Sequence, residues 1–235
     1  MKKKQIKQVG LFILDKSGSM SSIRGATVSG FNEYLNKLQK NKVNVAFNMT
    51  LFDDDCTTQR YHMTPIKEVR PLNEESYVPC GMTPLYDHAV STIEKLAEEV
   101  KEIEGTVAVS VVIMTDGLEN ASKLHNEKCL RDLIKKLEKK GNWTFAYMGA
   151  NQDSYAVAGG IGIARGNTVN WSATPEGSMM AFASLADASV ANYRAVNAKG
   201  LATSAFNAKD LHTNNFFNNQ ESFKGLGKTG GGGGK

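Results

Sequence analysis

A chain of 235 residues that is 41% hydrophobic and 22% charged has enough apolar side chain for one sizeable core, with residues left over for a tail. Its net charge of +4 gives no strongly basic face of the kind nucleic acid needs. The apolar runs over residues 9–14 and 107–114 are too short for a signal peptide or for the ~20 residues that cross a bilayer.

Residues 9–14 form a continuous apolar run ending in Asp15, the pattern of a strand buried on both faces. Residues 22–39 place Ile23, Val28, Phe31, Leu35 and Leu38 at helical spacing. Residues 43–52 alternate as a strand, Asp53-Asp54-Asp55 reads as a solvated turn, and 57–69 is a weaker strand that pairs antiparallel with the one before it. Thr83-Pro84 opens the clearest helix, with Thr83 as N-cap and Pro84 in the first helical position. Leu85, Ala89, Ile93, Leu96, Val100 and Ile103 form its apolar stripe, and Gly105 stops it. Residues 106–115 are the strongest strand, rich in Val and Ile. A helix around Leu130, Leu133, Ile134 and Leu137 follows, then strands at 143–148 and 167–171 and a last helix over 175–196. Alternation of strands with helices predicts an α/β, doubly wound, mainly parallel sheet over residues 1–197. Residues 198–235, rich in Asn, Gly and Lys, read as a flexible or partner-ordered tail.

Two strands run directly into an aspartate: Leu14-Asp15-Lys16-Ser17-Gly18-Ser19 and Met114-Thr115-Asp116-Gly117. In a doubly wound sheet, loops at the carboxyl ends of strands share one edge, and Cys80-Gly81-Met82-Thr83 lies at a helix start that reaches the same place. Asp15, Ser17, Ser19, Thr83 and Asp116 then offer two carboxylates and three hydroxyls, a donor set for a small hard cation such as Mg²⁺, with Mn²⁺ and Ca²⁺ left open. Gly18 permits a tight bend between the two serines. Asp87, Gly117, Asn151 and Asp153 join Gly18 as candidates for the rim. The three cysteines, Cys56, Cys80 and Cys129, are widely spaced with no CxxC, which fits reduced thiols in a cytoplasm better than disulfides or structural zinc.

These residues carry a resemblance. Asp15-Lys16-Ser17-Gly18-Ser19 matches the DxSxS motif of von Willebrand factor A (VWA) domains. Thr83 and Asp116 match the other two elements of their metal-ion-dependent adhesion site (MIDAS). Tyr77-Val78-Pro79, Gly81 to Asp87, Thr115 to Asn120 and Gly149 to Asp153 resemble the small intracellular bacterial and phage members. The resemblance covers residues 6–197. It implies a Rossmann-like sheet with one antiparallel edge strand, and a module, not an enzyme, that binds a protein partner. The partner supplies an Asp or Glu to the metal, and nucleic acid and membrane play no part. Which contacts are direct and which pass through water stays open at this point.

Two other readings stand beside it. A metal-dependent phosphohydrolase also starts from an Asp-led loop after a first strand, but an aspartyl nucleophile of that class has a second Asp two residues on, where this chain has Ser17. An assembly protein acting through its tail is the other. Gly227-Lys228-Thr229 lacks the upstream glycine of a phosphate-binding loop, with Ser222 in its place.

Overall fold

The structure is a computed structural model describing residues 7–54, 57–199 and 216–217. Among the described residues six strands form one sheet: β1 (Lys7–Asp15), β2 (Ala46–Phe52), β3 (Thr57–Pro65), β4 (Val107–Thr115), β5 (Trp143–Ala150) and β6 (Thr168–Trp171). Their order is β3-β2-β1-β4-β5-β6. Every pairing is parallel except β2 with β3. The expected sheet with one antiparallel edge strand is therefore present.

Five α-helices among the described residues cover its faces: α1 (Arg24–Lys40), α2 (Leu85–Lys101), α3 (Glu127–Glu138), α4 (Ser154–Gly160) and α5 (Pro175–Lys199). The alternation of side chains along β1 assigns the two cores. Phe12 and Leu14 join Phe31, Tyr34 and Phe182 under α1 and α5. Val9, Leu11 and Ile13 join Ile93, Ile134 and Trp143 under α2 and α3. Both faces being covered is why β1 and β4 read as unbroken apolar runs.

The strand order reverses at β1. β2 lies on one side of it and β4 on the other, so the crevice at the carboxyl ends of β1 and β4 is the topological switch point where ligands bind in this architecture.

Several boundaries differ from the sequence reading. A 3-10 turn over Gly18–Ile23 precedes α1, and the strand expected to start at residue 43 starts at Ala46. The expected start of α2 is corrected. The helix begins at Leu85, Pro84 sits in the cap position, and no side chain of the cap residue bonds the first turn. The loop after β4 does that work instead: Glu119 accepts from Tyr86 N–H and the Ser122 hydroxyl accepts from Asp87 N–H. Thr83 is thereby freed from capping. Met114 and Met148 are buried as expected, whereas Met82, placed in or near the core by the sequence reading, is about half exposed. The expected tail, residues 198–235, lies outside the described residues apart from Ala198 and Lys199, which end α5, and Phe216 and Phe217; Asp55, Cys56 and the Gly227 segment lie outside them too.

Candidate metal centre

Asp15 is the last residue of β1 and is wholly buried. Its Oδ1 accepts from Ser17 N–H at 2.7 Å, folding the DxSxS segment back on itself as an Asx turn. Its Oδ2 accepts from the Thr115 hydroxyl at 2.6 Å, which ties β1 to β4 just below the site. The buried Tyr77 hydroxyl donates to Asp15 carbonyl oxygen at 2.7 Å.

The two serines face the second aspartate. Ser17 and Ser19 hydroxyls lie 3.2 Å apart, and Ser19 donates to Asp116 Oδ1 at 2.6 Å. Thr83 arrives from the third loop. Its N–H donates to Asn120 Oδ1 at 2.8 Å, and its carbonyl accepts from Asn120 N–H at 3.2 Å. A methyl added to Gly117 would lie 3.6 Å from Ser19 Oγ and 3.7 Å from Thr83 Oγ1, so both hydroxyls open onto the space that Gly117 leaves clear. The structure thus gathers all five residues on one edge.

Backbone bonds hold the DxSxS loop to the Gly81 loop: Gly18 N–H to Gly81 carbonyl at 3.0 Å and Cys80 N–H to Lys16 carbonyl at 2.9 Å. Gly81 adopts φ +68° and sits against Asp54, whose Oδ1 accepts from Met82 N–H at 2.7 Å. Any side chain at 81 is strained there, and its first carbon would lie 1.7 Å from Asp54 Oδ1. Gly81→Ala is expected to cost about 1–2 kcal/mol from backbone conformation alone, more with the collision, lowering Tm and cation affinity together. Equal Tm and equal affinity in thermal melts would refute this role.

The electrostatics call for a cation. Asp15 and Asp116 are both buried, and among the described residues neither has an ion-pair partner. Lys16, between the motif residues, pairs with Asp53. Burial pushes the Asp15 carboxyl up to about 6, against the opposing pull of its hydrogen bonds, and burial raises Asp116 as well. Two buried carboxylates without a counter-charge are costly, and a bound dication removes that cost. Among the described residues no three His, Cys, Asp or Glu side chains cluster as a metal cage. The donor set is two carboxylates with three hydroxyls, with Gly18 and Ser19 exposed at its mouth. This suits a hard ion that retains water and an open position.

The rim candidates divide. Gly18 and Gly117 border the site directly. Asp87 is a clamp: its carboxylate accepts from Lys123, Leu124 and His125 N–H groups, and these bonds hold its pKa down despite partial burial. Asp153 caps α4 by accepting from Tyr155 and Ala156 N–H groups. Asn151 is exposed at φ +55°. From that loop it is Gln152 that reaches inward, donating to Gly117 carbonyl at 3.3 Å and bonding the Tyr147 hydroxyl at 2.9 Å. The sequence reading assigned no role at the site to Tyr77, Asn120, Glu119 or Thr115, read Asp54 as part of a solvated turn, and included Gln152 only within a rim stretch over residues 151–153. Thr115 and Asn120 flank Asp116 closely enough to be suspected, while Asp54 and Tyr77 bear on the site only through contacts distant in sequence.

No family model matches the sequence, and no curated relative does. Solved structures do match. The SpRpn10 VWA domain superposes with TM-score 0.50 at 12% identity, covering 75% of this chain and 94% of that one. This chain has the von Willebrand A fold. Proximal thread matrix protein 1 from the mussel byssus, in a structure with a zinc-occupied MIDAS motif, shares the fold with TM-score 0.55 at 13% identity over 79% of this chain. The pilus adhesin SpaC from Lactobacillus rhamnosus GG does so with TM-score 0.58 at 11% identity over 81%. This chain spans 46% of the length of the byssus protein and 31% of the adhesin.

Proposed function

We propose that this VWA-fold chain is a protein-binding module that holds one divalent cation, Mg²⁺, with Asp15, Ser17, Ser19, Thr83 and Asp116, and docks a partner through an Asp or Glu carboxylate at the ion's open position. The observation that carries the reading is the pair of buried, unpaired aspartates ringed by three hydroxyls at the switch point. Two carboxylates roughly neutralise a dication, and neutral hydroxyls leave it electrophilic toward an outside acid. The metal-occupied site of the byssus protein supports metal binding by this fold. Thr115 and Tyr77 orient Asp15, and Asn120 orients Thr83, so the donors are preorganised by their neighbours.

The surface around the site suits a protein. Of the large apolar side chains exposed on the described residues, Val78, Met82, Leu118 and Leu124 lie on the loops that form this edge. A groove of about 650 Å³ opens beside Thr83, with Met82, Pro84, Ala121 and Leu124 as its apolar lining and Asp54, Asp87, Asn120 and Lys123 among its polar lining. Apolar neighbours desolvate a carboxylate–metal contact and strengthen it. Residence in a reducing cytoplasm, as in the small intracellular bacterial and phage members that the sequence resembles, belongs to the proposal. It rests on the free thiols of Cys80 and Cys129.

The test is capture of a partner from native lysate in Mg²⁺, in EDTA, and with Asp116→Ala in Mg²⁺. A partner kept in the first condition and lost in the other two is expected. A partner kept in all three would move the interaction off the metal edge and overturn the reading.

A further inference from the structure

Phe216 and Phe217 follow α5 by more than a dozen residues, yet only 4% and 2% of their surface is exposed. They belong to the apolar cluster that contains Phe12, Phe31, Phe182, Val169 and Trp171. Their rings meet edge to face at 5.1 Å. The backbone is held as well. Phe216 N–H donates to Asn167 Oδ1 at 2.8 Å, and Phe217 N–H donates to Gly166 carbonyl at 3.0 Å. Asn167 is wholly buried, and its Nδ2 donates to Phe145 carbonyl at 2.9 Å, so one side chain joins β5 to the incoming segment. A buried amide aimed at two backbones, beside a pocket filled by two rings, is a built site.

Its place in the fold matters. Gly166 and Asn167 immediately precede β6, which runs parallel to β5, so the slot lies at the amino end of the edge strand. In register Thr168 lies beside Tyr147, Tyr147 beside Ile113 and Ile113 beside Ile13, so the slot sits partway along the sheet below the metal loops, which leave the carboxyl ends of β1 and β4.

We propose that this slot is a docking site for a di-phenylalanine segment, filled by the chain's own Phe216–Phe217, and that it pins that segment to the domain beside the edge strand β6. The assignment does not rest on the metal reading, because none of the five metal-site residues contributes to the slot.

The full chain carrying Phe216→Ser and Phe217→Ser is expected to lose about 5 °C or more in Tm, from the loss of two buried rings. It is expected to keep the same Mg²⁺-induced change in Tm as wild type, and to red-shift Trp171 fluorescence. A synthetic peptide of residues 211–223 added to that variant restores Tm as its concentration rises, and the same peptide with both phenylalanines replaced by serine does not. Unchanged Tm and fluorescence in the variant would overturn the proposal. So would hydrogen exchange in the wild-type chain at unprotected rates for the Phe216 and Phe217 amides, a measurement that stands even if the variant does not fold. A wild-type dimer that dissociates in the variant would place the segment in a second copy's slot and overturn the assignment within one chain.

Discussion

Mg²⁺ added to metal-stripped protein is expected to raise Tm by about 5–10 °C at a hundred times its dissociation constant. The figure combines a linkage contribution of about 2.7 kcal/mol with the ~2–4 °C per kcal/mol typical of domains this size. The rise comes from relief of the two buried, unpaired carboxylates, so Asp116→Ala should abolish it. Asp15→Asn is the sharper variant. The asparagine fits where the aspartate was, because its Nδ2 can donate to Thr115 Oγ1, which then turns its own hydrogen to Gly117 carbonyl 3.1 Å away. The variant should therefore melt at or above wild type in EDTA, yet gain nothing from Mg²⁺.

The pH dependence has a definite sign. In the metal-free protein the Asp15 carboxyl titrates at about 6, above its ordinary 3.8, so the fold takes up a proton that the unfolded chain releases. The stability this group contributes is fully present below pH 3.8 and is lost as pH rises through about 6. By linkage the loss is on the order of 3 kcal/mol. Stripped wild type should lose Tm between pH 4 and pH 7, Asp15→Asn should lose less, and saturating Mg²⁺ should remove the wild-type loss. Melts in which Mg²⁺ shifts all three proteins alike would show that the cation binds elsewhere.

Phe182→Ala is expected to destabilise the domain by about 3–5 kcal/mol, the cost of emptying a large buried aromatic site. Phe182 comes from α5 and meets Phe12 of β1 edge-on at 6.2 Å, while Phe12 stacks on Phe31 of α1 at 6.0 Å. Gly30 makes that arrangement feasible. A methyl at position 30 would lie 2.4 Å from the Phe182 ring, so α1 and α5 approach as closely as they do because residue 30 has no side chain. Gly30→Val should cost about 1–3 kcal/mol or more by forcing the helices apart. Combined with Phe182→Ala, its cost should shrink, because the added methyls enter the space the ring has left. Chemical denaturation of the four proteins measures this coupling, and strict additivity would contradict the packing described.

The fold class, and the gathering of Asp15, Ser17, Ser19, Thr83 and Asp116 on one edge, were legible in the chain because both depend on local pattern. Strands buried on both faces must be continuously apolar, so residues 9–14 and 106–115 announce a parallel sheet. A loop leaving the carboxyl end of such a strand must lie on the ligand edge, so Asp15 and Asp116 were placed by strand direction alone. The order of the six strands and of α1, α2, α3 and α5 follows from the same periodicities, whereas the short α4 has no apolar periodicity to announce it.

What the sequence could not decide are roles that depend on contacts between distant segments. Thr83 has the local chemistry of an N-cap, but Asn120, 37 positions away, binds its N–H, and Glu119 and Ser122 satisfy the start of α2 instead. Asp87 looks like a rim carboxylate until the loop over residues 123–125 closes on it. Met82 is apolar and near strands, yet the bonds of its loop to Asp54 and Lys16 hold it outward. Phe216 and Phe217 lie in a segment whose composition alone suggests a solvated tail. Only the tertiary structure supplies the buried amide of Asn167 and the apolar slot that order them, because burial is a property of the assembled surface and not of the residues that fill it.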